Sequence, residues 1–185
     1  MLDQFPNSGE SKRVTAYTIA IAKTMGLSRS EIDVIARSAF LHNVGRREIS
    51  EAILNKPGKL TPEEMAIMQE LPYRGYQLVR RSPMLKEAAE IVYAQRERYD
   101  GTGYPRRLKG DEIPLGARIV AVAKTLDSLI SDRPYRTART IEYARAEIQR
   151  CSGTQFDPRV VEVFQTMPDE IFEELQRKIS EQSEQ

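Results

Sequence analysis

At 185 residues, 40% of them apolar and 30% charged, the chain is long enough for one domain with a proper core and has the composition of a soluble helical protein. A net charge of +1 excludes a global pull on a nucleic acid polymer or on anionic lipid, so any anion site must come from a local cluster of arginines and lysines. No run of about 18 apolar residues is present to span a membrane, the N-terminus lacks the basic and apolar regions of a signal peptide, and a single cysteine, Cys151, fits a reducing cytoplasm.

Helical periodicity dominates. Val14, Tyr17, Ile21 and Met25 recur at spacings of three and four, predicting a helix over Ser11–Met25. Ser28 with Glu31 is a capping box for the next helix, and Gly45 is expected to stop it. Thr61-Pro62-Glu63-Glu64 is a third start signal, with proline at the first helical position. Pro72 is expected to interrupt that helix, with further helices at Tyr73–Arg81 and Leu85–Gln95. Tyr73 and Tyr76 lie at helical spacing and are expected in the core. The stretch Arg98–Gly116, with its glycines and prolines, is aperiodic; a loop of that length is usually functional or ordered only in a complex. Ala117–Ile130 is apolar on most faces, as a central buried helix is. Helices at Thr140–Arg150, Pro158–Thr166 and Asp169–Ser180 follow, and residues 181–185 should fray. The expectation is one all-α domain over 1–185.

Two segments carry a resemblance: Leu41-His42-Asn43-Val44-Gly45-Arg46, and Glu97-Arg98-Tyr99-Asp100-Gly101-Thr102-Gly103-Tyr104-Pro105. With Lys56-Pro57-Gly58, Ala117-Arg118-Ile119, Arg133-Pro134-Tyr135-Arg136 and Gly153–Pro158 in the same order, the chain resembles the HD-GYP family over about residues 11–164. The resemblance implies an HD-domain helical bundle and, in the family, a bacterial cyclic di-GMP phosphodiesterase with two or three bound iron or manganese ions.

The departures fall at the positions where the resemblance implies metal ligands. Glu10 and Asn43 stand for a histidine and an aspartate, Leu71 for the histidine of a His-Pro pair, Gln95 and Arg96 for two histidines, and Lys124 for an aspartate. Only His42 and Glu97 are kept. Such ions need several imidazole or carboxylate donors, whereas Arg96 and Lys124 bring positive charge to the cation's place. The expectation is therefore no metal, no catalytic residue and no cofactor, with Lys124 pairing to Glu10 or Glu97, or these positions forming a polar pocket floor.

What is kept suggests other roles. Arg46, Arg133, Arg136 and Tyr104 match the positions that the resemblance implies for phosphate and base contacts, although the arginines could instead pair with Asp127 and Asp132. The loop Asp100, Gly101, Gly103, Tyr104 and Pro105 matches one implied to touch signalling partners such as a diguanylate cyclase domain. The favoured expectation is a catalytically inactive regulatory or interaction module in bacterial cyclic di-GMP signalling, cytoplasmic and able to form a homodimer. The alternatives are a non-hydrolysing cyclic di-GMP receptor and a residual metal-dependent phosphodiesterase.

Overall fold

Spacings of three and four put Val14, Tyr17 and Ile21 on one face of the first helix, α1 (Gly9–Thr24), and all three are fully buried. The computed structural model describes residues 9–132 and 137–182. In α2 (Arg29–Phe40), Ser28 Oγ accepts from the Glu31 N–H, and the Glu31 carboxylate accepts from the Ser28 N–H at 2.8 Å, completing the expected capping box. A short α3 (Glu51–Leu54) was not signalled by periodicity, being barely one turn. Thr61 caps α4 (Pro62–Gln69) with its own box through Glu64. Then come α5 (Leu71–Val79), α6 (Lys86–Tyr93), α7 (Leu115–Ile130), α8 (Ile141–Arg150), α9 (Pro158–Thr166) and α10 (Asp169–Glu181).

Helix α7 is the axis of the bundle. It packs on α1, α2, α8 and α9. Ile119, Val120, Val122, Ala123 and Leu126 have no more than traces of exposed surface, as an all-round apolar helix must. Arg13 on α1 clamps Asp127 on α7 through two bonds, at 2.6 and 3.3 Å, inside the core. Among the described residues no strand forms, only an isolated bridge between Ser152 and Phe156. The fold is the expected all-α bundle.

A second, smaller core of Leu41, Val44, Val79, Ala89 and Val92 lies under α5 and α6. Two local expectations need correction there. Helix α2 stops at Phe40, not at Gly45, and the chain continues through a 3-10 segment, Val44–Glu48. Gly45 is needed for space: a Cβ would stand 2.4 Å from the Leu71 carbonyl oxygen and 2.9 Å from the Gly75 nitrogen. Pro72, as expected, marks the break between α4 and a new helix, and sits in the first turn of α5, where its missing N–H has no partner to lose. Tyr73 is 47% exposed and leans on Tyr76 and Tyr93 at the surface, so it is not a core residue.

Candidate functional site

The end of α2, the 3-10 segment, α5 and the end of α6 enclose a cavity of about 130 Å³. His42, Asn43, Leu71, Gln95 and Arg96 line it, and Arg46 joins them. Residues far apart in sequence, singled out for one chemistry, thus do meet in space. The remaining wall is Gly45, Leu54, Met68, Pro72 and Val92, of which Val92 belongs to the small core.

His42 is the centre of the site. Its side chain is fully buried, and Nδ1 lies 2.6 Å from the Ala39 carbonyl oxygen, which makes Nδ1 the protonated nitrogen. Nε2 is left with a lone pair; it has no hydrogen-bond partner among the described residues, and the nearest Glu10 oxygen is 3.6 Å away. Burial pushes the imidazole below its ordinary pKa, Glu10 and the Ala39 carbonyl oppose this, and Lys124 adds to the depression. The ring is neutral near pH 7. The Gln95 amide donates to the Ser38 carbonyl at 3.3 Å.

The cations gather on one side. Arg46 and Arg96 are exposed at the cavity, and among the described residues neither is in an ion pair. Lys124 on α7 is partly buried and is not one of the residues lining the cavity. It feels repulsion from Arg96 and Arg46 and attraction from Glu10. Of the two carboxylates suggested for Lys124, Glu10 is the one whose charge it feels. Glu97 is buried and turned away, accepting from the backbone N–H of Arg106 at 2.8 Å and of Leu108 at 3.1 Å.

This donor set does not fit a divalent ion. Among the described residues no three His, Cys, Asp or Glu side chains converge as a metal-binding group. One imidazole nitrogen and one carboxylate face two guanidinium groups and an ammonium, while Leu71 supplies no donor atom.

The long loop is folded onto the domain rather than left for a partner to order. The Asp100 carboxylate accepts from the Thr102 N–H at 2.9 Å, and the Tyr99 and Asp100 amides reach the carbonyls of Gln155 and Thr154. Gly103 passes so near the backbone that a Cβ would lie 2.3 Å from the Arg98 nitrogen and 2.6 Å from the Arg96 carbonyl oxygen. The Tyr104 N–H donates to that same Arg96 carbonyl at 3.2 Å, and its ring is not part of the cavity lining. Gly101, at φ 83°, and Pro105 belong to this loop. Arg133 and Arg136 lie outside the described residues. Asp127 and Asp132, their suggested partners, are engaged by Arg13 and by the Ala138 N–H.

Comparison with protein families matches residues 2–160 to the HD domain. The chain belongs to the HD-domain family. It is 41% identical over 173 residues to a cyclic di-GMP phosphodiesterase of Thermotoga maritima, covering 92% of this HD-domain chain and 47% of that protein. It is 44% identical over 153 residues to a cyclic di-GMP phosphodiesterase response regulator of Xanthomonas campestris, covering 82% and 40%. A 3'3'-cGAMP-specific phosphodiesterase of Vibrio cholerae is 40% identical over 154 residues, covering 82% and 30%. The chain thus spans less than half the length of these curated relatives. A crystal structure of a cyclic GMP-AMP specific phosphodiesterase from V. cholerae superposes with a TM-score of 0.72 at 21% identity, over 92% of this chain and 48% of that one. An HD-GYP-type protein from Bdellovibrio bacteriovorus gives 0.66 at 20%, over 83% and 49%. At those identities the structures establish the fold alone.

The relatives overturn the expectation of a catalytically inactive, non-enzymatic interaction module: proteins about 40% identical to this chain are named phosphodiesterases, which points to an enzyme. That expectation equates missing metal ligands with missing chemistry. Phosphodiester cleavage requires stabilised charge at phosphorus and a proton acceptor, and side chains can provide both.

Proposed function

We propose that this chain is a phosphodiesterase domain acting on a cyclic dinucleotide of the cyclic di-GMP or 3'3'-cyclic GMP-AMP class, in the cytoplasm. The observation that carries the reading is the cavity, which sets a neutral imidazole nitrogen, 3.6 Å from Glu10 and without a hydrogen-bond partner among the described residues, beside two guanidinium groups that make no ion pair among those residues. The names of relatives about 40% identical supply the substrate class. A cavity of about 130 Å³ takes one phosphodiester group and leaves the bases outside.

In this reading Arg46 and Arg96 hold the non-bridging oxygens of the phosphodiester, a task suited to their fork of donors. His42 Nε2 accepts a proton from a water molecule as the water oxygen adds to phosphorus. The bond from phosphorus to one ribose oxygen breaks, and the proton returns to that oxygen, giving a linear dinucleotide. Charge that builds on the phosphorane meets the field of Arg96, Arg46 and Lys124.

The test follows conversion of cyclic di-GMP and of 3'3'-cyclic GMP-AMP to linear products by chromatography, with and without added manganese. Turnover of either substrate under either condition is expected. His42→Gln should lower it by about 10²-fold with little change in affinity. Absence of turnover of both substrates in both conditions would overturn the reading.

A further inference from the structure

Outside the cavity, helices α5 and α6 carry an aromatic cluster that the phosphate site does not use. Tyr76 on α5 and Tyr93 on α6 stack, with ring centres 4.8 Å apart and planes 20° apart. Arg80 lies 5.1 Å from the centre of the Tyr76 ring. Arg106, from the long loop, lies 4.4 Å over Tyr93 and 3.3 Å from the Glu90 carboxylate. Those two rings are half-buried and already have neighbours for their π surfaces. Tyr73 is different. It rests against both rings, at 6.5 and 5.9 Å, yet 47% of it is open to solvent. Two packed rings hold it, and a tyrosine has few torsions to freeze, so its exposed surface is a contact area prepared in advance.

The cluster begins where the cavity wall ends. Tyr73 follows Leu71 and Pro72 in the chain, and Tyr93 follows Val92 and precedes Gln95 and Arg96; all five of those residues line the cavity. Successive Cα atoms are about 3.8 Å apart, so on both helices the rings start one residue from the wall. A phosphodiester held in about 130 Å³ leaves its bases outside, each tethered to the phosphate by one ribose. A flat aromatic surface beside the wall suits such a base, because every base has a π face to cover.

We infer that Tyr73 is the stacking platform for one purine base of the bound cyclic dinucleotide, with Tyr76 and Tyr93 as its backing. The inference rests on the cyclic-dinucleotide reading of the cavity. Stacking reads a π face and not a hydrogen-bonding edge, so the platform takes guanine or adenine alike. It adds affinity and orientation without choosing between cyclic di-GMP and 3'3'-cyclic GMP-AMP. Arg106 ties the platform to the loop, through a ring on which Tyr73 leans.

The test is calorimetry of the full chain with the phosphorothioate analogue of cyclic di-GMP, which resists cleavage, with manganese and without it. Tyr73→Leu keeps apolar bulk and removes the ring; it should bind about tenfold more weakly. Tyr73→Phe should stay within about twofold of the parent, since the ring and not the hydroxyl makes the contact. A thermal melt checks that each variant is folded. With cleavable substrates the loss should fall on KM, by a similar factor for both cyclic dinucleotides, and leave kcat within about twofold. Tyr73→Leu binding as tightly as the parent, or Tyr73→Phe as weakly as Tyr73→Leu, would overturn the inference. The two readings fail separately. Cleavage with Tyr73→Leu binding unchanged would leave the phosphodiesterase standing and remove the platform, whereas binding that needs the Tyr73 ring, without cleavage under any condition, would do the opposite. No binding with or without manganese would remove both.

Discussion

An ammonium partly buried on α7 costs free energy to keep charged. Burial, then the like charge of Arg96, brings Lys124 from the ordinary 10.5 down to about 7; Glu10 pulls the other way and Arg46 adds to the depression. His42, the other titratable group beside it, is neutral in this range. Because the folded value lies below the unfolded one, the unfolded chain binds more protons between the two, and stability rises with pH across that window. Below about pH 7 the cost is complete. Lys124→Met should therefore stabilise the protein by about 2 kcal/mol in slightly acidic buffer. In denaturant titrations at increasing pH, that gain should shrink as pH climbs from about 7 towards 10.5. A variant more stable than its parent and poorer at holding the anion would mark a residue kept for function at the expense of the fold.

At the scale of elements, the cavity depends on two close approaches of backbone. Gly45 and Gly75 let the 3-10 segment lie directly on α5, which positions Arg46 opposite Leu71 and Pro72. Gly45→Ala should cost about 2–3 kcal/mol in urea denaturation, since the obstacles are a carbonyl oxygen and a peptide nitrogen that cannot swing aside. Much of this level was legible in the sequence. Helices α1, α2, α4, α7, α8, α9 and α10 announced themselves through periodicity, capping boxes at Ser28 and Thr61, and proline placement. The role of Gly45 was not, because a glycine that ends a helix and one that makes room for a neighbour look alike until the neighbour is known. The site was legible by a similar measure. Family-like spacing named His42, Asn43, Leu71, Gln95 and Arg96, and they share one wall. The turn of Glu97 away from the cavity had no signal, since its partners are backbone amides of Arg106 and Leu108 that carry no side-chain signature.

At the scale of the molecule, the two ends of the site ride on helices joined by a buried charge pair. Glu10 lies on α1 and Lys124 on α7, and Arg13 grips Asp127 between those helices. Asp127 is 1% exposed and otherwise receives a hydrogen bond from Ser131. Arg13→Met should lower stability by about 3–5 kcal/mol by stranding that carboxylate, and the double variant with Asp127→Leu should recover most of the loss, as read by thermal and urea unfolding. The long loop is tied to the same framework. The Arg96 carbonyl holds the Tyr104 amide, and the carboxylate of the next residue, Glu97, holds two further amides where the loop returns. Loop and cavity therefore share one stretch of backbone, and their equilibria are linked. Any coupling between a protein that grips the loop and the nucleotide proposed for the cavity would be reciprocal, each changing the affinity for the other by the same factor.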